Sequence, residues 1–257
     1  MHDFIVFAVI GFLAQIVDGS LGMGFGVISS SVLLAQGISP ALASASVNAA
    51  KLPTTFTAAT SHYLHRNLDW TIVRGLAVCG SIGGIIGAFL LTTLKGHFLT
   101  LLVSAYLALM GVLIIWRGAL NATPRVVTST RASVIGLAGG LIEGIGGSWG
   151  PIVTTSILGS GAESRYAIGS GNFAEFVVSI SVFSAFVIAW ATGFWAGGSD
   201  WQSTFLPVLG LVLGGLPAAA FGGWLSKRAP RKPLTIAVGL LALSIAIYRL
   251  YPLLTGA

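Results

Sequence analysis

Residues 136–151 read GLAGGLIEGIGGSWGP, and residues 11–26 read GFLAQIVDGSLGMGFG, so the two stretches lie 125 positions apart. Aligned in this way, they place Asp18 opposite Glu143. A membrane tolerates an acid or a broken backbone only where protein or a water-filled cavity surrounds it. The duplicated stretch therefore predicts a broken helix in each half of a membrane protein, a pattern typical of transporter binding sites.

The composition indicates an all-α integral membrane protein. The chain is 55% hydrophobic and 8% charged, whereas a soluble domain carries about 25% charged residues. The net charge of +6 is explained by basic residues that flank membrane helices on the cytoplasmic side, so nucleic acid is not a predicted partner. The first residues show neither a basic region nor a cleavage pattern, so we expect no removed signal peptide. Cys79 is the only cysteine, which excludes internal disulfides and cysteine metal clusters, and we expect no cofactor and no metal.

Apolar stretches and helix breakers predict ten segments. They lie at about 3–17, 24–36, 38–64, 71–94, 97–116, 132–143, 149–160, 164–192, 203–225 and 233–251. The first two segments of each half are too short for a core of ~30 Å, so each pair is interpreted as a re-entrant hairpin. The predicted fold is two inverted repeats, 1–118 and 132–257, joined by a linker at 119–131. Each repeat has one short hairpin plus three transmembrane helices, or about 8–10 membrane segments in all.

The distribution of basic residues supports inversion. If each hairpin counts as two segments, ten basic residues fall on one side of the membrane and two, Lys95 and Arg249, on the other. If each short pair were a single crossing, the same residues would split six to six. The positive-inside rule favours the first arrangement, with both termini periplasmic or extracellular and the linker cytoplasmic. The ten residues are Arg66, Arg74, Arg117, Arg125, Arg131, Arg165, Lys227, Arg228, Arg231 and Lys232.

The turns of the two hairpins are the first candidate site. We call residues 20–24 the first tip and residues 145–149 the second tip. Glycine lets the backbone turn tightly, and the start of the following helix offers unpaired N–H groups that favour an anion. The alternative is that the glycines serve only close helix packing. The predicted substrate-binding residues in the tips are Ser20, Gly22, Met23, Gly147, Ser148 and Trp149.

Two pairs of polar residues occupy equivalent places further along each repeat. Asn48 aligns with Asn172, and Lys51 aligns with Glu175. The amides are predicted to donate hydrogen bonds to an oxyanion, although a hydrogen bond between helices is the alternative. Lys51 is predicted to attract the anion, and Glu175 to accept a proton. The alternative is a purely structural ion pair with each other or with the acids of the hairpins.

Asp18 and Glu143 have two interpretations, which can coexist. They could carry protons during transport, or they could cap the broken hairpin by accepting backbone N–H groups. His62 and His65 are interpreted as residues at the membrane interface, because two histidines without a third ligand are a weak metal signal.

The sequence resembles the TauE/SafE family of anion permeases, the sulfite and organosulfonate exporters. The matching features are the acid-plus-glycine hairpin at 18–26, SVNAAKLP at 46–53, and EGIGGSWGP at 143–151 with GSGN at 169–172. The first copy departs from the family pattern, because Met23 and Phe25 interrupt its glycines and Gly26 stands where the proline would be. The resemblance implies a permease of the bacterial inner membrane for sulfite or a sulfonate such as sulfoacetate.

We therefore expect a secondary transporter of small sulfur-containing anions that works by alternating access, with proton coupling as one option. No Gly-x-x-x-x-Gly-Lys-Ser/Thr loop is present, so the drive would be a gradient or a partner. The alternatives are a passive anion channel and an intramembrane enzyme that uses Asp18 and Glu143 as an acid pair. The predicted partners are a small anion and the lipid bilayer, with a homodimer as a further option.

Overall fold

The computed structural model describes residues 2–93, 127–195 and 201–225 continuously, with scattered positions in 101–116 and 228–251. Every regular element in the continuously described parts is a helix. The predicted segments at 97–116 and 233–251, and most of the predicted linker, lie outside these continuous parts. In chain order the helices are α1 His2–Leu21, α2 Phe25–Ala35, α3 Pro40–Leu64, α4 Trp70–Thr93, α5 Ser129–Gly146, α6 Trp149–Gly159, α7 Ser164–Ala191, α8 Trp201–Ala220 and α9 Gly222–Leu225.

Four of these helices, α1, α4, α7 and α8, are long and apolar enough to cross a membrane. Large apolar side chains point outward from them, among them Phe12 on α1 and Ile82 on α4. Buried positions instead include many small or polar residues, such as Ser46 and Gly84. An apolar exterior around a partly polar interior is the arrangement expected of an integral membrane protein.

Helix α1 is longer than the sequence predicted. The prediction ended it at about Val17, but the helix continues to Leu21 and has 20 residues, a rise of about 30 Å. It continues because the Ser20 hydroxyl donates to the Ile16 carbonyl at 2.5 Å, so a polar residue is accommodated without leaving the helix. The prediction that the first segment reaches only part-way is therefore wrong for α1. Helix α5 is also longer than the predicted 132–143, with 18 residues or about 27 Å. The returning helices α2 and α6 have 11 residues each, about 16 Å, and are short as predicted.

The first helix of each half packs along the fourth helix of the other half. Helix α5 lies along α4, and α1 lies along α8, with residue numbers rising together in both pairs, so each pair runs parallel. Glycine makes this approach possible, because an added Cβ would meet the backbone of the partner helix. Such contacts are Gly140 on Gly80 and Gly144 on Gly84 in one pair, and Gly210 on Phe4 and Gly214 on Ala8 in the other.

Helices α3 and α7, the third of each half, cross in the middle of the molecule. The rings of Phe56 and Phe176 are 5.3 Å apart. Further along, the Ser170 hydroxyl accepts the backbone N–H of Asp69 at 2.8 Å. The numbers on α3 rise while those on α7 fall, so the two helices are antiparallel. This crossing brings the polar residues of α3 and α7 together behind the two tips.

Candidate functional site

The two tips lie in direct contact inside the protein. The Thr154 hydroxyl in the middle of α6 donates to the carbonyl of Gly22 at 2.5 Å. A Cβ added to Gly150 would lie 2.5 Å from the Cα of Met23, and one added to Gly26 would run into the carbonyl of Gly147. Bare glycine backbone on each side is therefore what allows the tips to meet.

The turns at the two tips have the same backbone geometry. Gly22 and Gly147 adopt left-handed φ angles of 67° and 65°. The Gly22 N–H donates to the carbonyl of Asp18 at 2.6 Å, and the Gly147 N–H donates to the carbonyl of Glu143 at 2.7 Å. Each turn thus follows an acid by four residues and requires a residue that tolerates positive φ, which explains the glycine in both copies.

The two acids have different side-chain partners. The Asp18 carboxylate accepts the backbone N–H of Phe25 at 3.3 Å, so it caps the start of α2. Glu143 is fully buried, and its Oε1 lies 2.7 Å from the Nζ of Lys51. The start of α6, by contrast, has no side-chain hydrogen bond from its N-cap, Ser148. Asp18 therefore caps helix α2 in the first half, whereas the equivalent Glu143 forms an ion pair in the second half.

Lys51 lies at the centre of the buried charges. Its Nζ contacts Oε1 of Glu143 at 2.7 Å, Oε1 of Glu175 at 2.8 Å, and the carbonyl of Gly147 at 2.7 Å. An ammonium group has three N–H donors, so these contacts occupy all of them. Lys51 therefore joins α3 to α5, α7 and the second tip, and as placed it has no donor left for an anion.

Carboxylates outnumber the ammonium in this buried cluster. The second oxygens of Glu143 and Glu175 are buried and have no hydrogen-bond partner. Asp18 lies near this cluster, because its carboxylate accepts the N–H of Phe25 and a Cβ on the next residue, Gly26, would lie 2.8 Å from the ammonium nitrogen. Uncompensated charge is expensive away from water, so a proton on at least one carboxyl group is the simplest way to reach neutrality.

Asn48 and Asn172 are both buried but have different partners. The Asn48 amide nitrogen donates to the Ser44 carbonyl of its own helix at 3.0 Å. The Asn172 amide nitrogen lies 3.3 Å from Nε2 of His62. In both residues the amide oxygen is buried without a hydrogen-bond partner. These oxygens mark the two places in α3 and α7 where a polar ligand would complete the hydrogen bonding.

The remaining predicted residues make mostly local contacts. The hydroxyl of Ser20 donates within α1, and that of Ser148 donates to the Gly146 carbonyl at 3.1 Å, so neither hydrogen points toward an anion. Met23 packs with apolar neighbours in the first tip. The Trp149 indole is fully buried and donates to the Gly171 carbonyl at 3.1 Å. These side chains thus support the tips, and a role of the two hydroxyls as donors to the substrate stays a prediction.

His62 was not predicted to belong to the site. It was interpreted with His65 as an interface residue, but His62 is fully buried and only His65 is exposed. A signal was present in the sequence, because Asn48, Lys51, Thr55 and His62 follow helical spacing along one face of α3. All four are buried in the structure. A stripe of this kind in a membrane helix indicates a polar interior.

No group of three His, Cys, Asp or Glu side chains in the described residues is arranged to hold a metal ion. The buried polar side chains described above include amides, carboxyl groups, one ammonium group and one imidazole. Such a set can donate hydrogen bonds and exchange protons.

Comparison with known proteins gives two matches. The sequence profile of the family described as "Sulfite exporter TauE/SafE" matches residues 7–249. The chain is also 35% identical over 248 residues to the "Probable membrane transporter protein YtnM" of Bacillus subtilis (strain 168), covering 93% of this chain and 80% of that protein.

Proposed function

Because the chain belongs to the sulfite exporter TauE/SafE family, we propose that it carries small sulfur-containing anions, such as sulfite or sulfoacetate-type sulfonates, across the membrane by alternating access. The family and the related protein identify a multi-pass membrane transporter and not an enzyme. The acid-pair enzyme is therefore set aside.

The contact between the two tips carries the proposal. Helices α2 and α6 both begin there, and the N-terminus of a helix offers N–H groups and a partial positive charge to an anion. The start of α6 is without a side-chain cap, and Asn48 and Asn172 supply buried amides from the helices behind the tips. We place the anion at the start of α6 beside Asn172, because Trp149, the first residue of α6, donates to the carbonyl of Gly171. Asn48 marks the equivalent place in the other half.

Inverted repeats would explain how such a site opens to either side. The crossing of α3 and α7 supports this arrangement, because equivalent helices that run antiparallel are related by an axis lying in the membrane plane. The pairing of α1 with α8 and of α4 with α5 supports it too, since exchanging the halves converts one pair into the other. In our proposal the termini are periplasmic, the linker is cytoplasmic, and the membrane is the bacterial inner membrane.

The charges of the cluster support proton coupling. Lys51 faces Glu143 and Glu175, and Asp18 lies nearby, so the site is net negative when every group is ionised. A buried anion would then be repelled by uncompensated negative charge. We propose that carboxyl protonation accompanies anion binding, and that Lys51 holds the site together and does not bind the anion directly.

Counterflow in proteoliposomes tests this function. Vesicles preloaded with unlabelled sulfite or sulfoacetate would be diluted into the 35S-labelled anion, and uptake above the equilibrium level would be followed with time. A carrier gives a transient overshoot, whereas the alternative, a passive channel, gives none. The Glu163→Gln protein is a matched control, because Glu163 pairs with Arg165 at an exposed position away from the buried charges. Absence of overshoot with every sulfur anion would contradict the proposal.

A further inference from the structure

His62 lies between two asparagine amides in the interior of the protein. Its Nδ1 is 3.2 Å from the amide nitrogen of Asn67, and its Nε2 is 3.3 Å from the amide nitrogen of Asn172. All three side chains are buried. Asn172 is the amide placed beside the anion, so this arrangement joins the histidine ring directly to the proposed site.

Donor and acceptor counting constrains this trio. A neutral imidazole has one N–H donor and one acceptor nitrogen, and an imidazolium has two donors. Amide nitrogens on both sides of His62 would require two acceptors, which neither form has. At least one asparagine must therefore turn its oxygen toward the ring, and the position of the ring proton decides which one.

The orientation of Asn172 consequently depends on the proton at Nε2. When Nε2 carries a proton, Asn172 must present its oxygen to His62. The amide is then turned over, and its NH2 group occupies the place where the unpartnered oxygen lies in the present structure. Two N–H donors would thus face the anion site. When Nε2 has no proton, Asn172 donates to the ring and its oxygen faces the site, which disfavours an anion.

We propose that His62 is a proton-binding site that controls which end of the Asn172 amide faces the transported anion. The imidazolium has N–H groups on both nitrogens, so it fixes the NH2 of Asn172 toward the site, whereas the neutral ring permits either orientation. Binding of the anion and binding of a proton to His62 therefore favour each other. This inference rests on the proposed function, because it uses Asn172 as a ligand of the anion.

The contact between His62 and Asn172 has no counterpart at the equivalent described positions of the other half. The alignment that pairs Asn48 with Asn172 places Phe186 opposite His62, and Asn48 donates to a carbonyl of its own helix. Asn48 therefore has no titratable neighbour at the equivalent position. An anion beside Asn172 therefore feels the proton on His62, and an anion beside Asn48 does not.

Other charged or titratable side chains lie on the surrounding elements. They are Lys51 and His65 on α3, Glu143 on α5, Glu175 on α7, Asp18 on α1, and Asp69 in the turn after α3. Protonation of the carboxyl groups would also make anion affinity depend on pH, and a histidine variant leaves that contribution unchanged. The effect of His62 is thus the difference between the wild-type pH profile and that of its variant.

Calorimetric titration with sulfoacetate separates these contributions. Its sulfonate and carboxylate keep their charge at about pH 6 and pH 8, so only groups of the protein titrate. We expect the affinity of the wild type for sulfoacetate to fall when the pH is raised from 6 to 8. In His62→Gln this fall should be roughly three- to tenfold smaller, because about one hydrogen bond to the anion no longer depends on pH. His65→Gln, which changes an exposed histidine one turn away, should keep the wild-type profile.

Ring 15N chemical shifts test the same link in the unmodified protein. With labelled histidine, the His62 signals are assigned by their absence from the His62→Gln spectrum, or by their pH response if that variant does not fold. Saturating sulfoacetate at fixed pH should move them toward the imidazolium form. Sulfoacetate binding without that movement, or a full wild-type pH profile in His62→Gln, would overturn this inference alone. Failure of the wild type to bind any sulfur anion would overturn the proposed function and this inference with it.

Discussion

Replacing Lys51 with methionine should be among the most damaging single changes that leave the backbone intact. The ammonium group makes contacts of 2.7–2.8 Å with two carboxylates and one carbonyl, all of them buried. Removing one partner from a buried ion pair costs about 3–5 kcal/mol, because the remaining charge has no compensation. A typical free energy of unfolding is about 5–15 kcal/mol, so the Lys51→Met protein should lose a large share of its stability.

A compensated variant distinguishes electrostatics from loss of packing. In the triple variant Lys51→Met, Glu143→Gln, Glu175→Gln, neither carboxylate that Lys51 contacts is left unpaired, so most of the lost free energy should return. Glu163→Gln breaks an ion pair whose side chains are 41% and 58% exposed, and it should change stability by less than about 1 kcal/mol.

Reversible unfolding in mixed micelles, followed by circular dichroism, gives the free energy of unfolding of each protein. Two results would refute the reasoning. One is a Lys51→Met protein within about 1 kcal/mol of wild type, the range of an exposed pair. The other is a triple variant less stable than Lys51→Met alone, which would mean that the methionine fails for steric reasons.

Three further sets of substitutions test the contacts in and behind the tips. Gly26→Ala should lower the free energy of unfolding by about 1–3 kcal/mol, because its Cβ would meet the carbonyl of Gly147 in the second tip. The control Gly159→Ala places its Cβ in open space and should leave the free energy of unfolding nearly unchanged in the same assay. Thr154→Val removes the hydrogen bond between the tips and should lower the free energy of unfolding by about 0.5–1.5 kcal/mol. Thr154→Ser keeps the hydroxyl and should keep the wild-type stability. An equal loss of stability in the two variants would argue against a role of this hydrogen bond. Asn48→Ala and Asn172→Ala should each weaken sulfonate binding by calorimetry while the protein stays folded, and unchanged affinity in both would remove these amides from the site.

The positions of most helices could be predicted from the sequence because apolar runs and breakers coincide with helix ends. The short α2 and α6 are examples, since glycine-rich turns precede them and exposed turns follow. The end of α1 could not be predicted, because a serine that bonds back to its own helix looks like a breaker in sequence. Length was therefore predicted well for α2 and α6, which follow the glycine turns, and poorly for α1 and α5, which continue past an acid up to those turns.

The charged part of the site was more predictable than its neutral part. A lysine and two acids in apolar sequence leave a buried charge unpaired unless they contact one another, so contact among Lys51, Glu143 and Glu175 could be expected. Serine hydroxyls can always bond to a nearby carbonyl, so nothing in the sequence says that Ser20 and Ser148 do so. The contact of the histidine ring with an asparagine depends on the antiparallel crossing of α3 and α7, which local sequence does not encode.

The parallel packing of α1 on α8 and of α4 on α5 has a consequence for biosynthesis. During translation the first half enters the membrane before its partners exist, so the glycine surface of α4 faces lipid until α5 arrives. Lipid chains fit such a notched surface less closely than a helix does. The two halves therefore complete each other late in synthesis, and a chain that stops after the first half would have two unfilled grooves where its partner helices belong.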